Sequence, residues 1–448
     1  MGLRLRPGSS PSSSRPPAGE GRRWLYTGLL YLLLPLALLR LYWRGRRDPA
    51  HRQRWRERLG CIPPWPEPGC LWLHAVSVGE TRAALPLIRA LQERDPHRTI
   101  LVTTTTLTGS RQVREALGDQ VQHVYAPYDL PGAVRRFLSR TQPRLAIIME
   151  TELWPNLLHQ CAAAGIPILI ANARLSERSM RGYARIGWLT TPMLQHITLI
   201  AAQAEADAER FRALGAPRVE VTGNLKYDLA LPDDLAEQGR QFRREWLGEN
   251  RLVWIAASTH LGEDEPVLDA FARLRESWPE LLLLLVPRHP ERFDRVAELC
   301  RQRGFSLTRR SEKQPCSVET TVFLGDSMGE LLQFYAAADL AFVGGSLVPT
   351  GGHNVLEPAL LALPVLFGPH MFNFTEAGER LLQAGAAWPV GNAAELAIAV
   401  DRLLADPALR RNAGQRGRAV VEQHRGALAA LLTLIASYAS RDPARNPR

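Results

Sequence analysis

Cysteine is scarce and scattered. Cys61, Cys70, Cys161, Cys300 and Cys316 are spread over 448 residues, odd in number and without a CxxC pair. This spacing excludes a disulfide framework and a thiolate zinc site, and it fits a reducing compartment in which each thiol is a small buried hydrophobe. No Walker A segment, HExxH, or GxGxxG after the first strand is present. P-loop, zincin and dinucleotide-fingerprint chemistries therefore lose their usual signatures. No DxD-type pair lies beside a strand where it would hold a metal and a diphosphate, and Asp233-Asp234 falls in a polar stretch. The expectation is no metal and no cofactor. A spread basic charge is missing as well. The chain carries +10, but residues 1–56 hold twelve Arg, two acids and no Lys, which is already +10. A basic end beside an apolar run suits an anionic membrane surface and not a nucleic-acid groove.

The remainder is globular in composition, 46% apolar and 22% charged, and long enough for two domains. Residues 1–23 are rich in Ser, Pro, Gly and Arg and read as a disordered extension, or as residues ahead of the true start. Residues 24–47 read as a membrane anchor with a basic collar. The run WLYTGLLYLLLPLALL gives about 24 Å of helix, short of a hydrocarbon core of roughly 30 Å, and Tyr42 and Trp43 extend it. Arg40, Arg44, Arg46 and Arg47 follow and would keep the next domain cytoplasmic. A signal peptide lacks its small-residue cleavage site here, and a helix lying in the interface is the other reading.

From Leu71 apolar runs alternate with helical patterns: LWLHAV, TILVTTTT, LAIIME, IPILIANA, ITLIAAQ and VEVTG. Unbroken apolar strands alternating with helices predict a parallel sheet covered on both faces. This first domain is expected over 48–228, a polar linker over 229–250, and a second domain of the same kind over 251–440 including a closing helix. Its strands are LVWIAAS, LLLLLVP, TVFLGD, DLAFVGG and LPVLFG. The fold class is α/β: two Rossmann-like domains facing an interdomain cleft, with ligands beyond the carboxyl ends of the strands.

Six segments carry the candidate chemistry. HAVSVGE runs a strand through a turn into a helix and sets Glu80 at the sheet edge. There a carboxylate can take a proton from a hydroxyl, or simply complement the helix dipole. METELWPN closes a strand on Glu150, beside Glu152 and Trp154, suited to a sugar or to capping the next helix. GNLKYD puts Lys226 between the domains, where it could meet a carboxylate or phosphate or stay solvated. PRHPER sets Pro287 and Arg288 in a stiff loop where a guanidinium could hold a phosphate. GDSMGE offers Met328, Gly329 and Glu330 at another turn, for a nucleoside or as a plain Asp/Ser cap. In the last, Gly344-Gly345-Ser346 precedes Gly351, Gly352, His353, Asn354, Val355, Leu356 and Glu357. Paired glycines opening a helix would make an anion site, with His353 as a donor and Glu357 facing ribose hydroxyls.

With TTTTLTGS, HVYAPYDLP, ANARLS, FVGGSLV and GPHMFNF, these segments resemble 3-deoxy-D-manno-octulosonic acid (Kdo) transferases, in order and over nearly the whole chain beyond residue 23. The resemblance implies a GT-B fold and inverting, metal-independent transfer of Kdo from CMP-Kdo to a lipid A precursor at the cytoplasmic face of the inner membrane. It implies Glu80 as the base and Glu150 and Lys226 in transition-state stabilisation. It implies CMP contacts from Pro287 and Arg288, from Met328-Gly329-Glu330, and from Asn354 through Glu357. Another GT-B transferase using a UDP-sugar, and a membrane-tethered binding module without chemistry, are the alternatives.

Overall fold

The computed structural model describes residues 20–64 and 68–439. It divides into two compact units, one ending at Leu225 and resuming at Gly426, the other running from Lys226 to Arg425.

The first unit holds seven parallel strands: β1 Leu71–His74, β2 Ile100–Thr104, β3 Gln122–Tyr125, β4 Leu145–Met149, β5 Ile168–Ala173, β6 Leu199–Ala202 and β7 Val219–Val221. Their order is β3-β2-β1-β4-β5-β6-β7. Side chains alternate across a strand, so each strand feeds two cores. In β4, Leu145, Ile147 and Met149 pack into one face while Ala146 and Ile148 pack into the other. Burying one such aliphatic side chain contributes about 1.5–3 kcal/mol. Between β1 and β4 the chain order reverses, and both strands end at that switch point, the usual ligand position in such a sheet.

The second unit repeats the plan with β8 Val253–Thr259, β9 Leu282–Pro287, β10 Leu307–Arg309, β11 Val322–Leu324, β12 Leu340–Val343, β13 Val365–Phe367 and β14 Ala387–Pro389. The order is β10-β11-β9-β8-β12-β13-β14, with its switch point between β8 and β12.

Three expectations about domain limits are corrected. The stretch 229–250 is no linker. It forms a helix, Leu235–Phe242, continued to Leu247, and Phe242 and Leu247 are buried in the second unit's core. Its outward Glu237, Arg240 and Arg244 made it read as polar, and Arg243 ties it down through Asp339 at 2.8 Å. The closing helix, Ala427–Ala439, belongs to the first unit. Leu431, Leu432 and Ile435 join the core of the first sheet, and Arg218 donates to the Tyr438 hydroxyl at 2.7 Å. The disorder expected over 1–23 falls partly on residues 1–19, which lie outside the described residues. Residues 20–23 are helical, because α1 (Glu20–Arg47) begins before the apolar run and no proline after Pro17 prevents it.

Helix α1 is long and apolar enough to cross a membrane over Arg23–Arg46. Its start is bound to the first unit. Tyr26 donates to Asp129 at 2.9 Å, and Arg23 and Thr27 donate to Asn156 Oδ1 at 3.2 and 3.1 Å. Its end is bound to the same unit, where Asp48 pairs with Arg111 at 3.0 Å.

Candidate active site

At the β1/β4 switch point the chain leaves β1 through Val76 and Ser77 into α2 (Val78–Arg94), which runs through Pro86 as one helix. Ser77 caps α2, accepting from the Glu80 amide at 3.3 Å and donating its hydroxyl to Glu80 Oε1 at 2.8 Å. The Val76 amide donates to Glu80 Oε2 at 2.8 Å. Glu80 is thus fixed in the first helical turn and buried. Burial pushes its carboxyl up to about 7. The two hydrogen bonds oppose this without cancelling it, and the nearby charges of Glu152 and Glu150 add to it. The side chain that closes the start of α2 is thus also a carboxyl with a raised pKa.

Glu150 leaves β4 with φ +56°, the left-handed region that a β-carbon disfavours, while its amide stays in the ladder, donating to Ala171 O at 2.9 Å. Glu152 accepts from Trp154 Nε1 at 2.7 Å, and burial raises its pKa. His74 closes β1, buried against the edge of Trp154, with Nδ1 2.9 Å from Thr103 Oγ1 and burial lowering its pKa to about 4. Its Nε2 is buried without a hydrogen-bond partner among the described residues. A neutral imidazole, a proton-binding carboxylate and two further acids share this sheet edge. His74 was not singled out for a role in the sequence, although it opens the HAVSVGE segment, whereas Glu152 was read with Glu150 and Trp154 as a sugar contact or a helix cap.

In the second unit the paired glycines do something other than expected. Gly351 and Gly352 adopt φ +102° and +74° in a loop, and the helix starts only at Leu356 and ends at Leu360. A β-carbon on Gly351 would overlap Asn373 and one on Gly352 would overlap Met371. The amides of Gly352 and His353 donate to Gly345 O at 2.7 Å and Gly344 O at 3.2 Å. The glycines therefore serve close packing of the loop, and the helix-end anion site is corrected. The amide nest after β12 is also filled from within. Glu263, fully buried, accepts from the amides of Gly345, Ser346 and Leu347 at 2.6, 2.9 and 2.8 Å, and from His260 at 2.8 Å. Glu263 was missed. Its signal was an acid in the first turn after the apolar strand β8.

What the loops after β8, β9 and β12 do gather is a cluster of three histidines. His353 stacks on His260 at 5.0 Å with their Nε2 atoms 2.7 Å apart, and the His289 ring meets His260 edge-on at 5.1 Å. The His260 pKa is lowered by burial, and neighbouring His289, Arg292 and Arg288 add to that. The Arg288 amide donates to Thr259 O at 3.0 Å, which brings the Pro287-Arg288 turn beside the end of β8. Asn354 accepts from the Leu356 amide and donates to Glu357, both at 3.0 Å, and Val355 is buried.

Lys226, one of two lysines in the chain, donates to Asn373 O at 3.1 Å and lies 4.8 Å from the Phe374 ring centroid. The Asn373 amide donates to Gly351 O at 3.0 Å, so Lys226 is joined to the glycine loop. Met328 is exposed and Gly329 has φ +88°. Glu330 accepts from Arg310 at 2.6 Å and from Ser327. Burial would raise the Glu330 pKa, but these two partners outweigh it and hold it low. Asp326 binds Ser311 and Arg309 and is not a helix cap. This turn joins the Arg309–Glu312 segment.

A family model described as 3-Deoxy-D-manno-octulosonic-acid transferase (kdotransferase) matches residues 53–229. The 3-deoxy-D-manno-octulosonic acid transferase of Haemophilus influenzae is 45% identical over 425 residues, 94% of this chain and 99% of that one. The chain belongs to the Kdo transferase family. The Kdo transferase of Bordetella pertussis is 39% identical over 90% of this chain and 96% of its own. Among solved structures, a glycosyltransferase from Rickettsia africae superposes with a TM-score of 0.55 at 12% identity, covering 84% of this chain and 100% of that one. That likeness shows the fold alone, a GT-B-like pair of parallel sheets. As a member of the Kdo transferase family the protein is a glycosyltransferase.

Proposed function

We propose that the protein transfers Kdo, with inversion and without a metal, from CMP-Kdo to the tetraacyl disaccharide precursor of lipid A in lipopolysaccharide biosynthesis. Glu80 is the base. The observation that carries this is a buried carboxylate at the β1/β4 switch point whose pKa is raised to about 7. A base with a pKa near the working pH combines availability with proton affinity. In the reaction the acceptor hydroxyl gives its proton to Glu80 as its oxygen bonds to the anomeric carbon of Kdo. The bond from that carbon to the CMP phosphate breaks, and the electron pair leaves with CMP. Lys226 balances the donor's carboxylate, and Glu150 stabilises the transition state beside Glu80. Arg288, with Pro287 setting its turn, and the His353–Glu357 loop hold the CMP phosphate and ribose, while Met328-Gly329-Glu330 flank the nucleoside. CMP leaves well as a monoester, so side-chain donors suffice where a diphosphate would call for a metal.

The apolar outer surface of α1 supports a place at the inner membrane, with the two units on the cytoplasmic side and the acyl chains of the acceptor left in the bilayer. A donor test separates this from other GT-B chemistries. CMP release from CMP-Kdo should persist in excess EDTA and be inhibited by added CMP more strongly than by UDP. Preference for UDP, or loss of turnover with EDTA and recovery with a divalent cation, would overturn the donor or the metal-free mechanism respectively.

A further inference from the structure

Two stripes run the length of α1. Thr27, Leu30, Leu34, Leu38, Leu41 and Gly45 face the first unit, with Thr27 and Gly45 buried and those between half-covered. Leu25, Leu29, Leu32, Leu36, Leu39 and Trp43 face outward, each more than half exposed. Both stripes step by three and four residues, the repeat of one helical face. A helix spanning a bilayer sends its two ends to opposite sides of a core about 30 Å thick. Here Tyr26 and Asp48, separated by about 33 Å of helix, are both bonded to the same globular unit, through Asp129 and Arg111. That unit cannot stand on both sides of a membrane.

We propose that α1 lies in the plane of one leaflet of an anionic phospholipid bilayer, as an interfacial helix, and does not span it. The proposal rests on the membrane reading above and refines it. The helices Glu177–Arg185 and Gly187–Leu194 extend the same contact, since the latter packs against α1. They expose Arg178, Arg181 and Arg185 next to Ile186 and Trp188, and α1 exposes Arg40, Arg44 and Arg46 around its apolar stripe. Arginines beside aromatic and aliphatic side chains match the boundary between anionic headgroups and acyl chains.

The test uses the full chain with Cys61→Ser and Cys316→Ser, adding Glu20→Cys or Arg46→Cys, in sealed membrane vesicles treated with a membrane-impermeant maleimide. Both sites should react from the face that bears the globular units. Reaction of Glu20→Cys only after detergent, with Arg46→Cys reactive before, would overturn the proposal while leaving membrane attachment intact. Spin labels at Leu25→Cys, Leu32→Cys and Leu39→Cys give a second reading that does not depend on reactivity. In-plane packing sets them at equal depth, whereas a span sets Leu32 deeper than the others by about 10 Å. Arg178→Gln with Arg185→Gln should weaken flotation on vesicles containing phosphatidylglycerol by about tenfold or more, and leave it unchanged on phosphatidylcholine. Flotation of the variant on phosphatidylglycerol vesicles equal to that of the unmodified chain would refute the basic flank. Failure of the unmodified chain to float at all would sink the membrane reading itself, an outcome distinct from the others.

Discussion

Replacing Glu80 by Gln should separate catalysis from stability. The side chain keeps its shape, but the charge and the basic oxygen are gone. Removing a positioned general base lowers the rate by about 10²–10⁴-fold, or roughly 3–5 kcal/mol of activation free energy. Stability should move the other way. A carboxyl raised from 4.5 to about 7 in the folded chain disfavours its own charged form by about 3 kcal/mol. The amide keeps one acceptor for the two donors, Val76 N–H and Ser77 O–H, so one hydrogen bond of about 1–2 kcal/mol is lost. At pH 8 the variant should therefore melt no lower than the wild type, and by this difference be about 1–2 kcal/mol more stable. The sign follows from linkage. The raised pKa means the native chain binds the proton more tightly than the unfolded chain, so the wild type loses stability as pH rises from about 4.5 through about 7. Below 4.5 the advantage of the variant disappears. Thermal melts across this range and initial transfer rates at pH 8 test both halves. Undiminished turnover would refute the base assignment, and a lower melting temperature at pH 8 would refute the buried-charge argument.

The pH profile of kcat/KM should rise through an acid limb centred near 7, and Glu152→Gln should move that limb to lower pH by removing a neighbouring negative charge; an unmoved limb would show that the two acids are not coupled. Glu263→Ala leaves four amides without their acceptor, a cost of at least about 4 kcal/mol that a chemical-denaturation curve would read; a change below about 1 kcal/mol would mean that the loop finds other partners. Gly352→Ala forces a side chain into the left-handed region and against Met371. It should cost about 1–3 kcal/mol and raise the donor KM more than it lowers kcat, and unchanged donor kinetics would remove the glycine loop from the donor site.

The sequence revealed the central strands and hid three of the four edge strands, for one physical reason, while the fourth edge, β7, did register as VEVTG. β1, β4, β8 and β9 are buried on both faces and read as apolar runs such as LLLLLVP. β3, β10 and β14 lie at sheet edges, are only three or four residues long, and carry partly exposed residues such as Gln122 and Arg309, so they did not register. The same limit applies to 229–250, whose inward face is a few residues among many charges. Which unit the helix Ala427–Ala439 joins is a matter of tertiary packing, which local pattern does not report. Glu80 was legible because a strand, a Ser/Gly turn and a helix fix an acid at the sheet edge. Glu263 was not, because the run Gly262-Glu263-Asp264-Glu265 looks like a solvated acidic turn until the amides of Gly345 to Leu347 are brought over it.

The central claim, Kdo transfer to a lipid acceptor by way of Glu80, meets its most direct test in the mass of the acceptor. Purified protein is incubated with CMP-Kdo and the tetraacyl lipid A precursor, and the lipid is weighed by mass spectrometry, with Glu80→Gln in parallel. The account predicts a lipid heavier by whole Kdo residues from the wild type and none, within the same time, from the variant. An acceptor of unchanged mass beside intact wild-type protein and donor, or equal adducts from both proteins, would contradict it.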